Sequence, residues 1–178
     1  LIGNSIGEKN EKNTLYYFTH IIFYGIFISI LIAAFGLNYS ENIFYIMGST
    51  KEVVDLGLEY TNIIFYGTII FISVVSLNSL LHAEGDTKTY RNVLILSFFL
   101  NIILNPILIF GFLFIPAMGV KGIGVSTLIS QLVCFIIILK KILFNDRIKL
   151  LNKEYYLFKF TYFKSIFFQS MPIIISIC

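Results

Sequence analysis

A chain of 178 residues in which 57% are hydrophobic and only 13% charged departs from a soluble domain, where about 45–50% and about 25% are usual. A surface turned to water needs charge and one turned to lipid must avoid it; the mean hydropathy of +0.86 agrees with the second. The composition excludes a disordered chain and a fibrous repeat, and a net charge of +3 with no arginine cluster or basic stripe excludes nucleic acid as a partner.

A membrane-crossing helix needs about 20 mostly apolar residues, because each residue advances about 1.5 Å through about 30 Å of hydrocarbon. Four segments meet that test in chain order: Leu15–Leu37, Thr61–Leu81, Val93–Ile115 and Ile123–Phe144. A fifth starts near Ser165 and stops at Cys178. The spans are apolar all round rather than striped, which predicts an all-α polytopic transmembrane bundle. The chain opens on Leu1 instead of Met, shows no signal peptide and ends inside an apolar run, so a fragment is expected.

All ten acidic residues fall outside these spans, as the cost of a carboxylate in hydrocarbon requires. The loops set the orientation. Eleven of the thirteen basic residues lie before the first span, between the second and third, or from Lys140 to Lys164. The other two connections hold only Lys51 and Lys121. Positive loops stay in the cytoplasm, so residues 1–14, 82–92 and 144–164 are expected there, with the protein in the plasma membrane. The stretch 144–164 is basic and aromatic. It is expected to link two helical bundles or to lie on the anionic inner leaflet as an interfacial helix.

Three motifs then follow in order. Leu81-His-Ala-Glu-Gly-Asp-Thr-Lys-Thr89 occupies the second loop, Asn101-Ile-Ile-Leu-Asn105-Pro106 the third span, and Gly119-Val-Lys-Gly122-Ile-Gly-Val-Ser-Thr127 the entry to the fourth. Together they resemble the multidrug and toxic compound extrusion (MATE) transporters. That family carries a Glu-Gly-Asp-Thr loop, an Asn-x-x-x-Asp-Pro helix and a Gly-Val-x-Gly-Ala turn. Ile2–Asn10, Met47-Gly48 with Glu52 and Tyr60, and Met171-Pro172 resemble further landmarks of it. The resemblance implies that 1–143 is a partial N-terminal bundle (helices three to six), 144–164 a linker, and 165–178 the start of a second bundle. It also implies a monomeric antiporter, not an enzyme, that exchanges Na⁺ or H⁺ for small organic, cationic drugs and uses no other cofactor.

The residues supply a chemical reading beside it. Asn101 and Asn105 are four apart and share a helical face. Pro106 cannot bond the Ile102 carbonyl and is expected to break the helix there. Amide and freed carbonyl oxygens suit a hard cation, and Thr127 and Gln131, also four apart, are expected to face the same site. The plainer reading is polar glue between helices. Aspartate is the family's usual residue where Asn105 stands, and an amide releases no proton, so a protonatable role shifts to a helix absent from this chain. Glu84, Gly85 and Asp86 form an ionic turn with Lys88 and Arg91, to which the resemblance adds a gate.

Several residues have plainer expectations. Gly122, Ser126 and Ser130 form a small-residue line for close packing, and Asn78 makes a packing bond. His20 and His82 take interfacial places, and Tyr16, Tyr17, Tyr24 and Tyr66 are expected to form an aromatic belt or, as the second reading, to line a cavity. Cys134 and Cys178 act as small hydrophobes. No nucleophile–base pair or phosphate loop lies in a span, which leaves an enzyme without means. Two alternatives to drug export stand: a lipid-linked saccharide flippase of related fold, which would place basic residues in its spans, and a truncated membrane protein without transport.

Overall fold

Each long apolar run is helical in a computed structural model of the chain, which describes residues 1–177 and the side chains of residues 1–170. The side chains of Met171 and Pro172, and all of Cys178, lie outside the described residues. The order is α1 (Ile2–Gly7), α2 (Glu11–Ile46), α3 (Lys51–Ala83), α4 (Thr87–Phe110), α5 (Val120–Leu143) and α6 (Phe160–Ile177). Short 3-10 turns at Ile148–Leu150 and Lys153–Tyr156 lie between α5 and α6. Helices α2 to α5 are each long and apolar enough to cross a membrane. The class is an all-α bundle of membrane-spanning helices.

Local chemistry sets the helix ends. The Asn10 side chain accepts the Asn13 amide at the start of α2, and Asp86 does the same for Thr89 at the start of α4. Gly48, at φ +81°, closes α2 and Gly85, at φ +83°, closes α3, in backbone that side-chained residues avoid. In the middle, α2 packs on α3, α3 on α5 and α5 on α4, while α6 and the turn before it lie against α2. Small residues allow the close contacts: a Cβ on Gly36 would lie 2.1 Å from the Phe65 ring, and one on Gly25 2.5 Å from the Ser76 hydroxyl. Phe18, Val74, Leu80, Leu81, Cys134 and Ile138 form the core at the basic end. Phe35, Val75, Phe98 and Ile136 are exposed, as apolar faces meeting lipid require.

The structure corrects four expectations. The third span stops at Phe110, not Ile115, because Gly111 turns at φ +79° and Phe112 pairs with Ile115 in a backbone bridge. Helix α4 runs unbroken through Pro106, since proline removes one bond and the turns on either side hold the rest. The stretch 144–159 forms two 3-10 turns rather than an interfacial helix. The last helix starts at Phe160, five residues before the expected Ser165.

Candidate functional site: a polar seam between two helices

Along α4, Ser97, Asn101, Asn105 and Leu108 recur at three- or four-residue spacing and so lie on one face. Along α5, Gly122, Ser126, Ser130 and Cys134 recur every fourth residue. The two lines meet. A Cβ on Gly122 would lie 2.7 Å from the carbonyl carbon and oxygen of Leu108, so the backbones touch at this level. The connecting loop folds back to hold them: the Met118 amide donates to the Leu108 carbonyl at 2.9 Å and the Gly119 amide to that of Ile109 at 3.1 Å. These bonds satisfy carbonyls that the end of α4 would otherwise leave open.

Inside the seam, the fully buried Ser126 hydroxyl donates to Asn105 Oδ1, and it also lies 2.8 Å from the Ile123 carbonyl of its own helix. One turn nearer the basic end, Asn101 Nδ2 donates to the Ser97 carbonyl at 3.0 Å, which leaves its Oδ1 free of that bond. Ser130 Oγ, fully buried, has no hydrogen-bond partner among the described residues. Further down, the buried Cys134 thiol donates to the Val93 carbonyl at 3.6 Å, in keeping with its small-hydrophobe reading. Among the described residues no three His, Cys, Asp or Glu side chains converge. The seam offers neutral amide, hydroxyl and carbonyl oxygens.

Sequence reasoning found this seam only in part. Asn101 and Asn105 do share a face, but Thr127 does not complete it: its hydroxyl turns back on the Ile123 carbonyl of α5 at 2.9 Å. Adjacent residues on a helix point about 100° apart, so Ser126 and Thr127 cannot both meet α4. Half-buried Gln131 makes no hydrogen bond to either asparagine. Pro106 and Ile102 lie on the exposed side of α4, so the carbonyl that the proline frees is on a neighbouring face from the amides. The missed residue is Ser126. Its signal was present in the close-packing line, because a hydroxyl at a tight helix contact must find an acceptor there. Asn78 is buried as expected, but its Oδ1 finds no partner among the described residues.

The Glu84-Gly85-Asp86 turn is tied to the basic strap that follows α5, not to Lys88 and Arg91. Glu84 accepts from Arg147 Nε at 3.0 Å and from Asn145 Nδ2 at 2.6 Å. Arg147 also reaches Glu11 at 2.5 Å, so one guanidinium joins the start of α2 and the end of α3 to the strap. Asp86 accepts the Thr89 hydroxyl at 2.7 Å and amide at 3.0 Å, with Lys141 3.7 Å away. The Thr89 hydroxyl first, then its amide and the Lys141 charge, hold the Asp86 carboxyl below the usual aspartate range.

Tyr16, His20 and the strap form a second cluster that the sequence did not foretell. Both side chains are fully buried rather than placed in a belt or at an interface. The Tyr16 hydroxyl donates to Glu154 Oε1 at 2.7 Å and accepts from Lys159 Nζ at 2.7 Å. The Tyr16 bond, with Lys12 3.5 Å away, holds the Glu154 carboxyl low, and the same hydroxyl raises the Lys159 ammonium. Tyr16 stacks on Tyr162 with centroids 4.9 Å apart. Tyr66, by contrast, is 71% exposed.

Four helices long and apolar enough to cross a membrane, two of them meeting over a buried polar seam, define a multi-pass membrane protein. The family model described as MatE matches residues 1–107, and the chain belongs to that family. It is similar to the "Probable multidrug resistance protein YoeA" of Bacillus subtilis (strain 168), 28% identical over 78% of this chain and 30% of the relative. It is also similar to the "Probable multidrug resistance protein NorM" of Thermotoga maritima, 32% identical over 74% of this chain and 28% of the relative. A third relative is the "FAD transporter" of Shewanella oneidensis, 25% identical over 74% of this chain and 29% of that one. The chain thus spans under a third of the length of these relatives.

Solved structures give the same picture. An inward-facing multidrug resistance MATE family transporter of the MOP superfamily superposes on 93% of this chain, and 37% of that chain, with a TM-score of 0.82 at 24% identity, which shows the fold. The crystal structure of a MATE protein in its bent conformation superposes on 77% of this chain, and 30% of that chain, with a TM-score of 0.71 at 28% identity.

Proposed function

We propose that the complete protein is a Na⁺- or H⁺-coupled antiporter that exports small organic, cationic compounds across the plasma membrane as a monomer. Membership of the MatE family and the multidrug-resistance names of the relatives support the reaction class. Residues 1–143 act as part of its first bundle, 144–164 as the cytoplasmic linker, and 165–178 as the opening of the second. The one observation that carries the site is the buried meeting of Asn105 with Ser126 beside Asn101, where neutral oxygens suit a hard cation. Thr127 and Gln131 act, in this reading, on substrate rather than on that cation. An amide neither releases a proton nor supplies charge, so the balancing carboxylate comes from outside these four helices. The Glu84-Gly85-Asp86 turn, tied to the strap by Arg147, serves as the cytoplasmic gate.

The test uses the complete transporter in proteoliposomes loaded with a fluorescent organic cation. Asn101→Leu should abolish cation-driven export while insertion persists, and Asn105→Asp should keep export and shift its pH or Na⁺ dependence. Export by Asn101→Leu at the parent rate and cation dependence would reduce the seam to helix glue. Transport of a flavin dinucleotide or a lipid-linked saccharide in place of the cation would overturn the substrate class.

A further inference from the structure

His20 makes two hydrogen bonds that together fix its protonation state. Its Nε2 lies 2.8 Å from the backbone N–H of Lys159, which can only donate. That nitrogen therefore carries no proton. Its Nδ1 lies 2.8 Å from the Tyr16 carbonyl, which can only accept, so Nδ1 carries the imidazole proton. Neighbouring Thr19 takes the strap at a second point, donating its hydroxyl to the Tyr155 carbonyl at 2.9 Å. Two consecutive side chains of α2 thus receive the backbone of the segment between α5 and α6, which is 139 residues distant in the chain at Lys159. His20 is fully buried within this chain alone, and further packing can only bury it more.

We propose that His20 is a proton-sensitive clasp: neutral, it holds the 144–159 strap on α2, and protonated, it lets the strap go. A proton added at Nε2 turns the acceptor into a donor, and two N–H groups then face each other with no oxygen between. The surrounding groups reinforce that sign. From the strap, the Lys159 ammonium lies 3.9 Å over the Tyr16 ring and repels an imidazolium. Glu154, also on the strap, has its charge taken up by Tyr16 and Lys12. The remaining polar neighbours are the phenol rings of Tyr16 on α2, Tyr155 on the strap and Tyr162 on α6, whose ring centre lies 5.4 Å from that of His20. Phe23 and Phe158 complete the enclosure and offer no counter-charge. A proton that binds only the undocked state shifts the equilibrium towards that state. This device stands whether or not the α4–α5 seam binds a cation.

The measurement is a spin-label distance between Lys88→Cys at the start of α4 and Lys153→Cys on the strap, in the complete protein in lipid nanodiscs. Both lysines are exposed. A single narrow distance is expected at pH 8, with a longer component growing at pH 5. With an undocked histidine titrating near its ordinary value of about 6.5, the undocked-to-docked ratio rises by up to about thirtyfold across that range. His20→Gln, whose amide oxygen accepts the Lys159 N–H at any pH, should stay docked throughout. Thr19→Val, which loses the Tyr155 bond, should keep the acid response and move its midpoint upward. A parent distribution identical at both pH values overturns the clasp, and so does an acid response retained unchanged by His20→Gln. If His20→Gln fails to fold, the parent's response and the Thr19→Val midpoint decide the matter between them, an unmoved midpoint counting against it.

Discussion

Ser126 of α5 donates its hydroxyl to the side-chain oxygen of Asn105 on α4, across a contact so close that only a glycine fits one turn away. This bond fixes which way the Asn105 amide faces. It joins the two helices at the level where the proposed cation would sit. Ser126→Ala should therefore weaken cation coupling although it removes a single oxygen. At about 0.6 kcal/mol for such a bond in a membrane protein, the apparent affinity for the coupling ion should fall by about threefold. Thr127→Val should leave it unchanged. Cation-dependence curves of transport for the two variants check this, and the reverse pattern would return the ligand role to Thr127.

Gly122 gives a test of the seam that is independent of transport. The atoms a new Cβ would meet, the carbonyl carbon and oxygen of Leu108, are backbone and cannot rotate away. Gly122→Val should lower stability by about 1–3 kcal/mol or more, as overpacking does. Gly3→Ala, where nothing lies within 4 Å, should be neutral or slightly stabilising. Thermal unfolding in detergent distinguishes the two, and equal melting points would remove the close approach of α4 and α5.

Asp86 carries the cap of α4 and should show it in the pH dependence of stability. Its carboxyl is held below the ordinary aspartate value by the Thr89 hydroxyl and amide. Its contribution is thus complete above about pH 3.9, the value in the unfolded chain, and is lost as pH falls through the lower folded value. Asp86→Ala should cost about 1 kcal/mol at neutral pH, and Asp86→Asn much less, because its side-chain oxygen still caps. Parent and Asp86→Ala melting curves that stay equally far apart into strong acid would deny that cap its charge.

The uneven distribution of lysine and arginine sets the topology. In intact cells, Lys51→Cys should react with an impermeant thiol reagent, whereas Lys12→Cys, Lys88→Cys and Lys153→Cys should be shielded. Labelling in the opposite pattern would invert the orientation.

The spans were legible because hydrocarbon imposes a length and forbids charge, and both leave one-dimensional traces. The excess of Val93–Ile115 over the true α4 shows where that reading fails. Hydropathy counts Phe112 and Ile115 as apolar but does not register that Gly111 has turned the chain. Asn101 and Asn105 were legible because two amides on one helical face are rare in a span. Ser126 was passed over for Thr127 because the sequence gives the period of a helix and not its rotation against a neighbour. His20 and Tyr16 were least legible of all. Their partners, Glu154, Tyr155 and Lys159, come from a strap whose path depends on the packing of every helix between, and no local pattern encodes it.

Helix α2 is a single rod of 36 residues, about 54 Å long where the hydrocarbon is about 30 Å thick. The strap seats on it near one end, at Tyr16, Thr19 and His20, while its other half packs on α3. A rod held near its base behaves as a lever. A tilt of about 10° about that grip, over the roughly 42 Å that remain to Ile46, carries its far end sideways by about 7 Å, and the start of α3 with it, because the hairpin at Met47–Thr50 is short. Motion too small to break a hydrogen bond at one rim of the membrane becomes, at the other, a displacement of more than half the width of a helix.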